Sequence, residues 1–357
     1  MQLKFDTGKT YAIALEGGGA KGAYEVGVWM ALEEAGVKYN AVAGTSVGAL
    51  NGAMMAMRDL RGAIDAWKRV SLTDIVDVNE DSADNMLRLF AGEADISDVH
   101  ELLPQVLDIV KNRGLDVSPL RRWVTGLADT AAIKNSDVEL FVTTVGLSDK
   151  KGLTVKVNDL PEEEMCDMLL ASAYHPSFRL EKLGGKYYTD GGFFDSLPIY
   201  PLVENGYKDI IAVCLPGKGI HRLFIPPRDV NIIYIDTDED LGGTLCFDGD
   251  NSRRNIEIGY YDAQRLLYGL VGRSYYIDPL MDEREALSEL LDFFHRDGEE
   301  LRCVIEQELP RLADKLDLED WTYHQLLIAH CEIKARTKGL ERMKIYTDRE
   351  FVKLALG

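Results

Sequence analysis

Two short apolar runs, each breaking at glycine and continuing at helical spacing, fill most of the first sixty residues. Residues 11–15 form a β-rich run that ends in Glu16-Gly17-Gly18-Gly19-Ala20-Lys21-Gly22. Ala23, Val26 and Met30 then recur at helical spacing until Gly36 stops the pattern. Residues 41–43 form a second run ending in Gly44-Thr45-Ser46-Val47-Gly48, after which Val47, Leu50, Met54 and Met57 mark another helix. Strand–helix–strand–helix order calls for parallel strands joined by right-handed crossovers. The expected fold is therefore α/β, a three-layer α/β/α arrangement around a mainly parallel sheet. Further strands are expected over 138–145, 153–157, 186–189, 209–215 and 231–236, and helices over about 162–172 and 252–271.

With 357 residues, 46% of them apolar, the chain exceeds one ordinary domain and can bury a large core. Residues 1–280 are expected to hold the α/β domain. Residues 281–357, with 18 acids and 12 bases on periodic leucines, are expected to form a helical region packed on it. Residues 71–98 carry eight acids against one arginine and read as a mobile cover or a solvated face rather than sheet. The net charge of −20 argues against a nucleic-acid groove and weakens a polybasic lipid anchor, so any bilayer contact should be apolar and local. No run reaches the length of a membrane span, and the start of the chain reads as a strand rather than a signal peptide. Five scattered cysteines without a C-x-x-C pair fit reduced thiols in a cytoplasmic protein. Oligomeric state is left open.

The loop at 17–22 supports three readings. Gly17, Gly19 and Gly22 satisfy the spacing of a dinucleotide loop, but that site also wants an acid at the end of the second strand, where Gly44-Thr45-Ser46 stands instead. Consecutive glycines at a helix start also leave backbone N–H groups free to face a developing oxyanion. The third reading is a plain tight turn. Gly44-Thr45-Ser46-Val47-Gly48 is more specific. A G-x-S-x-G between strand and helix is a nucleophile elbow, with Ser46 on a strained turn and the flanking Gly44 and Gly48 allowing close packing.

A serine needs a base. His221, His295, His324 and His330 follow in the chain, but none succeeds a strand in the manner of a Ser–acid–His triad, and His175 reads as a pocket or packing residue. Asp190, in Tyr188-Thr189-Asp190-Gly191-Gly192, ends a strand before two glycines. It is either a turn aspartate or a carboxylate base made more basic by burial.

Taken together, GGGAKG at 17–22, GTSVG at 44–48, ASAYHPSF at 171–178 and DGG at 190–192 resemble the patatin-like phospholipase family over about residues 10–280. The resemblance implies a Ser46 nucleophile, an Asp190 base, and oxyanion donors among Gly17, Gly18 and Gly19, with Lys21, Gly22, Gly191 and Gly192 in supporting places. It implies hydrolysis of a lipid or membrane-surface carboxylic ester through an acyl-serine, without cofactor or metal. Family members commonly place Asp and Arg where this chain has Glu16 and Lys21, so loop anchoring is expected to differ. Asp236, Asp238 and Asp240 begin like a calcium loop but lack its glycine and terminal glutamate. The Phe224-Ile225-Pro226-Pro227 stretch reads as a buried connector in preference to a bilayer contact.

Overall fold

The structure is a computed structural model that describes residues 1–77, 114–217, 219–294 and 301–357; most of the acidic stretch 71–98, and His295, lie outside them. Seven strands make the central sheet: β1 (Thr10–Leu15), β2 (Lys38–Thr45), β3 (Glu139–Gly146), β4 (Lys151–Lys156), β5 (Tyr188–Asp190), β6 (Asp209–Val213) and β7 (Asn231–Ile235). Their order is β4-β3-β2-β1-β6-β7, and β5 also pairs with β3. The four ladders β3–β2–β1–β6–β7 are parallel, whereas β4 and β5 run antiparallel to β3. The expected mixed α/β architecture with a mostly parallel sheet is what the chain adopts.

Side-chain alternation along these strands builds two faces. Ala12, Ala14, Ala41, Ala43 and Ala212 present a flat surface on which Leu197, Ile199 and Leu202, leading into and along the short helix Ile199–Glu204, pack. The opposite face carries the larger Leu15, Val42 and Leu140. Against it lies α2 (Val47–Ala56), so closely that a Cβ at Gly52 would stand 3.1 Å from Leu140 and 3.2 Å from Val42. α1 (Ala23–Glu34) precedes α2, α3 (Leu60–Arg69) follows it, and α4 (Ser118–Leu127) and α5 (Glu162–Ser172) come later in the chain.

α6 (Gly249–Tyr268) crosses α1 at two glycines. A Cβ at Gly27 would meet the Ile256 carbonyl oxygen at 1.9 Å, and one at Gly259 would meet the Tyr24 carbonyl oxygen at 2.0 Å. Alanine normally stabilises a helix interior by about 1 kcal/mol relative to glycine. Here Gly27→Ala is expected to reverse that sign and cost about 2–3 kcal/mol through overpacking. A thermal melt should show Tm lower by about 5–10 °C; an unchanged or raised Tm would contradict the crossing geometry.

The chain divides into two compact units, Asp6–Ala263 and Met1–Phe5 with Gln264–Gly357. The division falls inside α6, earlier than the composition change near 280, because Tyr275 and Ile277 belong to the apolar core of the C-terminal helices. That core gathers Leu290, Leu309, Leu327 and Phe351 beside a two-stranded parallel ladder, Tyr276–Asp278 with Ile345–Thr347. Two buried carboxylates fasten its loops. Glu332 Oε1 accepts the N–H groups of Arg273, Ser274 and Tyr275 at 2.8, 2.7 and 3.0 Å. Asp348 Oδ2 accepts those of Leu280 and Met281, both at 2.7 Å, with His324 Nε2 at 3.1 Å. His330 lies against Phe293 with the rings tilted and their centroids 4.7 Å apart. Both histidines are thus taken up in the helical unit.

The connection between β6 and β7 differs from its expected burial. Phe224 alone turns inward, its ring 5.9 Å from Tyr200 and against the alanine face, while its neighbours Leu223 and Ile225 point into solvent.

Candidate active site

Sheet register brings Ser46 and Asp190 together. In the parallel pairing of β2 with β3, Thr45 lies opposite Thr143; in the antiparallel pairing of β5 with β3, Asp190 lies opposite Thr144. The last residue of β5 and the first beyond β2 therefore meet beside Thr143 and Thr144 of β3, though 144 residues separate them in sequence. Ser46 Oγ–H donates to Asp190 Oδ2 at 2.6 Å.

Ser46 has φ 55° and ψ −123°, a region L-residues rarely occupy, and α2 begins immediately after it. This is the strained elbow expected from G-x-S-x-G. Close packing holds it: a Cβ at Gly44 would lie 2.2 Å from the Gly48 carbonyl oxygen, and one at Gly48 would lie 2.5 Å from that of Leu15. Ser172 adds a polar brace. Its hydroxyl accepts the Ser46 N–H at 2.8 Å and donates to the Thr143 carbonyl at 2.6 Å. Strain of this kind costs about 1–3 kcal/mol and persists only where the surroundings over-determine it.

Asp190 is held on both sides. Its N–H donates to the Tyr174 carbonyl at 2.8 Å, and its Oδ1 accepts the Gly192 N–H at 2.8 Å. Gly191 passes so near Thr143 that a Cβ there would stand 2.2 Å from the carbonyl oxygen. Burial raises the carboxyl's pKa above its ordinary value, against the opposing pull of the Ser46 and Gly192 hydrogen bonds. A more basic carboxylate is a better acceptor for an alcohol proton.

The glycine loop runs alongside. Gly17 N–H donates to the Ser196 carbonyl at 3.0 Å, and Ala20 N–H to that of Thr244 at 2.8 Å. Between them, the N–H groups of Gly18 and Gly19 have no acceptor among the described residues. Gly19 has φ +59°. Sequence reasoning named all three glycines as donors; Gly17 is already engaged, which leaves the other two.

The anchoring of this loop was not legible beforehand. Buried Glu16 accepts the Leu215 N–H at 2.8 Å on Oε2 and stands 2.7 Å from His221 Nε2 on Oε1. Lys21 Nζ donates to the Pro216 carbonyl. Asn51 links α1, α2 and α3: its Nδ2 donates to the Gly22 carbonyl at 2.9 Å and to Glu25 Oε2 at 2.7 Å, while its Oδ1 accepts from Trp67 Nε1 at 2.8 Å. Burial holds the Glu25 carboxyl well above the ordinary range. The only early hint for Ser172 was its place in the 171–178 motif.

A cavity of about 70 Å³ opens on Ser46 and Asp190, walled by Val47, Leu50, Leu120, Trp123, Phe178 and Phe247. His175 also lines it, with Nδ1 2.8 Å from Ser177 Oγ and accepting the Ser177 N–H at 3.2 Å. Among the described residues no histidine is bonded to Ser46 or Asp190. The arrangement offers a hydroxyl, a carboxylate, two unengaged N–H groups at a helix start and an apolar wall. Among the described residues no helix is long and apolar enough to cross a membrane.

The sequence pattern of the family described as "Patatin-like phospholipase" matches residues 13–203. Patatin-like phospholipase domain-containing protein 6 of mouse and of human is 37% identical over 214 residues, 58% of this chain but only 14% and 13% of those proteins. Lysophospholipase NTE1 of Cryptococcus neoformans is 26% identical over 212 residues, 58% of this chain and 11% of its own length. The chain thus spans about one seventh or less of these curated relatives. Among solved structures, VipD of Legionella pneumophila aligns with a TM-score of 0.41 and 15% identity, over 92% of this chain and 85% of that one. The type III effector ExoU aligns with a TM-score of 0.35 and 16% identity, over 97% of this chain and 68% of its own.

Proposed function

Because the chain belongs to the patatin-like phospholipase family, we propose that it hydrolyses carboxylic esters of lipids through a Ser46–Asp190 dyad and an acyl-serine intermediate. The observation that carries this reading is the 2.6 Å hydrogen bond from Ser46 Oγ to Asp190 Oδ2, on a strained turn beside two unengaged glycine amides.

In the first half-reaction Asp190 takes the Ser46 proton as Oγ attacks the ester carbonyl carbon. The carbonyl oxygen gains the negative charge and accepts from the Gly18 and Gly19 N–H groups, with the positive end of α2 also nearby. Asp190 then returns its proton to the departing alcohol, leaving the acyl group on Ser46. In the second half a water loses a proton to Asp190 and attacks the acyl carbon, and Ser46 leaves with that proton. The apolar wall of Val47, Leu50, Leu120 and Trp123 suits a fatty acyl chain. The names of the relatives, phospholipase and lysophospholipase, put acyl esters of phospholipids first among substrates.

A fluorophosphonate probe tests the nucleophile directly. The folded chain should be modified on Ser46, as identified by mass spectrometry of the peptide, and the Ser46→Ala chain should not be. Resistance of the folded chain to the probe, together with no turnover of any short-chain ester, would overturn the proposal.

A further inference from the structure

The segment between β6 and β7 combines an exposed apolar tip with a base bonded to the proposed active site. At its tip stand the two most exposed large apolar side chains among the described residues, Leu223 at 97% and Ile225 at 94%. At its base it is bonded to both turns of the proposed active site. Leu215 N–H donates to Glu16, and His221 Nε2 stands 2.7 Å from the same carboxylate. Ile220 N–H donates to the Gly192 carbonyl at 2.9 Å, and Ser196 N–H to the Ile220 carbonyl at 2.6 Å. The exposed tip is therefore braced against the oxyanion loop on one side and the Asp190 turn on the other.

Its charge is equally distinctive. The chain carries −20 overall, yet no acid occurs from Cys214 to Arg228. Arg222 lies over the Tyr200 ring, 3.6 Å from its centroid, and Arg228 is exposed. Bare apolar side chains interleaved with arginines suit an interface that is hydrocarbon beneath and anionic above. Elsewhere the net negative charge repels such a surface, so a local basic cluster selects which face approaches, within about a 10 Å screening length.

We propose that the 219–228 loop is a docking element for an anionic lipid bilayer, inserting Leu223 and Ile225 while Arg222 and Arg228 meet the headgroup phosphates. Docking there turns toward the bilayer the end of the sheet at which the parallel strands β1, β2 and β6 lead into Glu16, Ser46 and Leu215. The inference rests on the lipid-hydrolase reading for its purpose, but its physical content, binding to a bilayer, is measurable without turnover.

Co-sedimentation with vesicles of phosphatidylcholine and phosphatidylglycerol tests it, using the Ser46→Ala chain so that the lipid stays intact. That chain should sediment with mixed vesicles, less with pure phosphatidylcholine, and less in high salt. Adding Leu223→Ser and Ile225→Ser should weaken sedimentation at least tenfold. In the chain retaining Ser46, the same two changes should lower the ratio of vesicle to soluble-ester turnover at least tenfold. Undiminished sedimentation by the loop variant would overturn docking whatever the enzyme does. So would loss of self-association in place of vesicle binding, which would make the patch a contact between copies. Failure to hydrolyse any ester, with vesicle binding intact and loop-dependent, would instead count against the proposed reaction alone.

Discussion

Asp190→Asn is expected to lower ester turnover by at least about 10³-fold while leaving the fold as stable as before, or more so. Loss of a member of a catalytic unit costs up to about 10⁶ in kcat, and losses within one unit do not add. Ser46→Ala should therefore be as damaging as Asp190→Asn, and the double variant no worse than the more damaging of the two. The stability half follows from the sign of the pKa shift. Burial raises the Asp190 carboxyl in the folded chain, so the unfolded chain gives up its proton at lower pH than the folded one. Between the ordinary carboxylate value and the raised one the folded state binds more protons, and stability falls as pH rises through that window. Above that window the native carboxylate is ionised at a cost, which asparagine does not carry; its Oδ1 can still accept the Gly192 N–H while its Nδ2 donates to Ser46 Oγ. The same shift sets the acid limb of the parent's rate, which should rise with pH through a midpoint above that of an ordinary aspartate. Near-parental turnover by Asp190→Asn, or a clear fall in its Tm at neutral pH, would contradict the assignment.

Gly19→Ala should reduce turnover by about 10²–10³-fold with Ser46 and Asp190 untouched. The position combines φ +59° with a backbone wall, since a Cβ would stand 2.1 Å from the Thr244 carbonyl oxygen. That oxygen also accepts the Ala20 N–H, so the loop cannot relieve the clash without losing its own anchor. The displaced segment is the one that carries the proposed oxyanion donors. Fluorophosphonate labelling should slow in parallel with turnover, while circular dichroism stays that of the parent. Unchanged kinetics in the variant would mean that the oxyanion is stabilised elsewhere.

What could be read beforehand depended on local chemistry. The strained turn at Ser46, the strands entering both glycine segments and the mostly parallel sheet follow from periodicity and from positions only glycine tolerates. The partnership of Ser46 with Asp190 was reachable through motif resemblance, because sheet register across β3 is a property of three strands and none of them encodes it alone. The bonds of Glu16 to Leu215 and His221, and of Asn51 to Trp67, join residues with no shared motif and left no local trace. Composition misjudged the segment at 224–227: aromatic and aliphatic residues suggest burial, but only Phe224 finds a partner there. The change in composition near 280 likewise missed Tyr275 and Ile277, whose packing ties them to the helices that follow.

Ser172 has a consequence for stereochemistry. By accepting the Ser46 N–H it withdraws the amide of the proposed nucleophile's own residue, so the proposed donors to a tetrahedral oxygen lie on the glycine-loop side. A carbonyl held by the Gly18 and Gly19 amides presents one prochiral face to Oγ. Mirror-image forms of an ester made chiral next to that carbonyl would then be processed at different rates, a selectivity set by one hydroxyl that never touches the substrate.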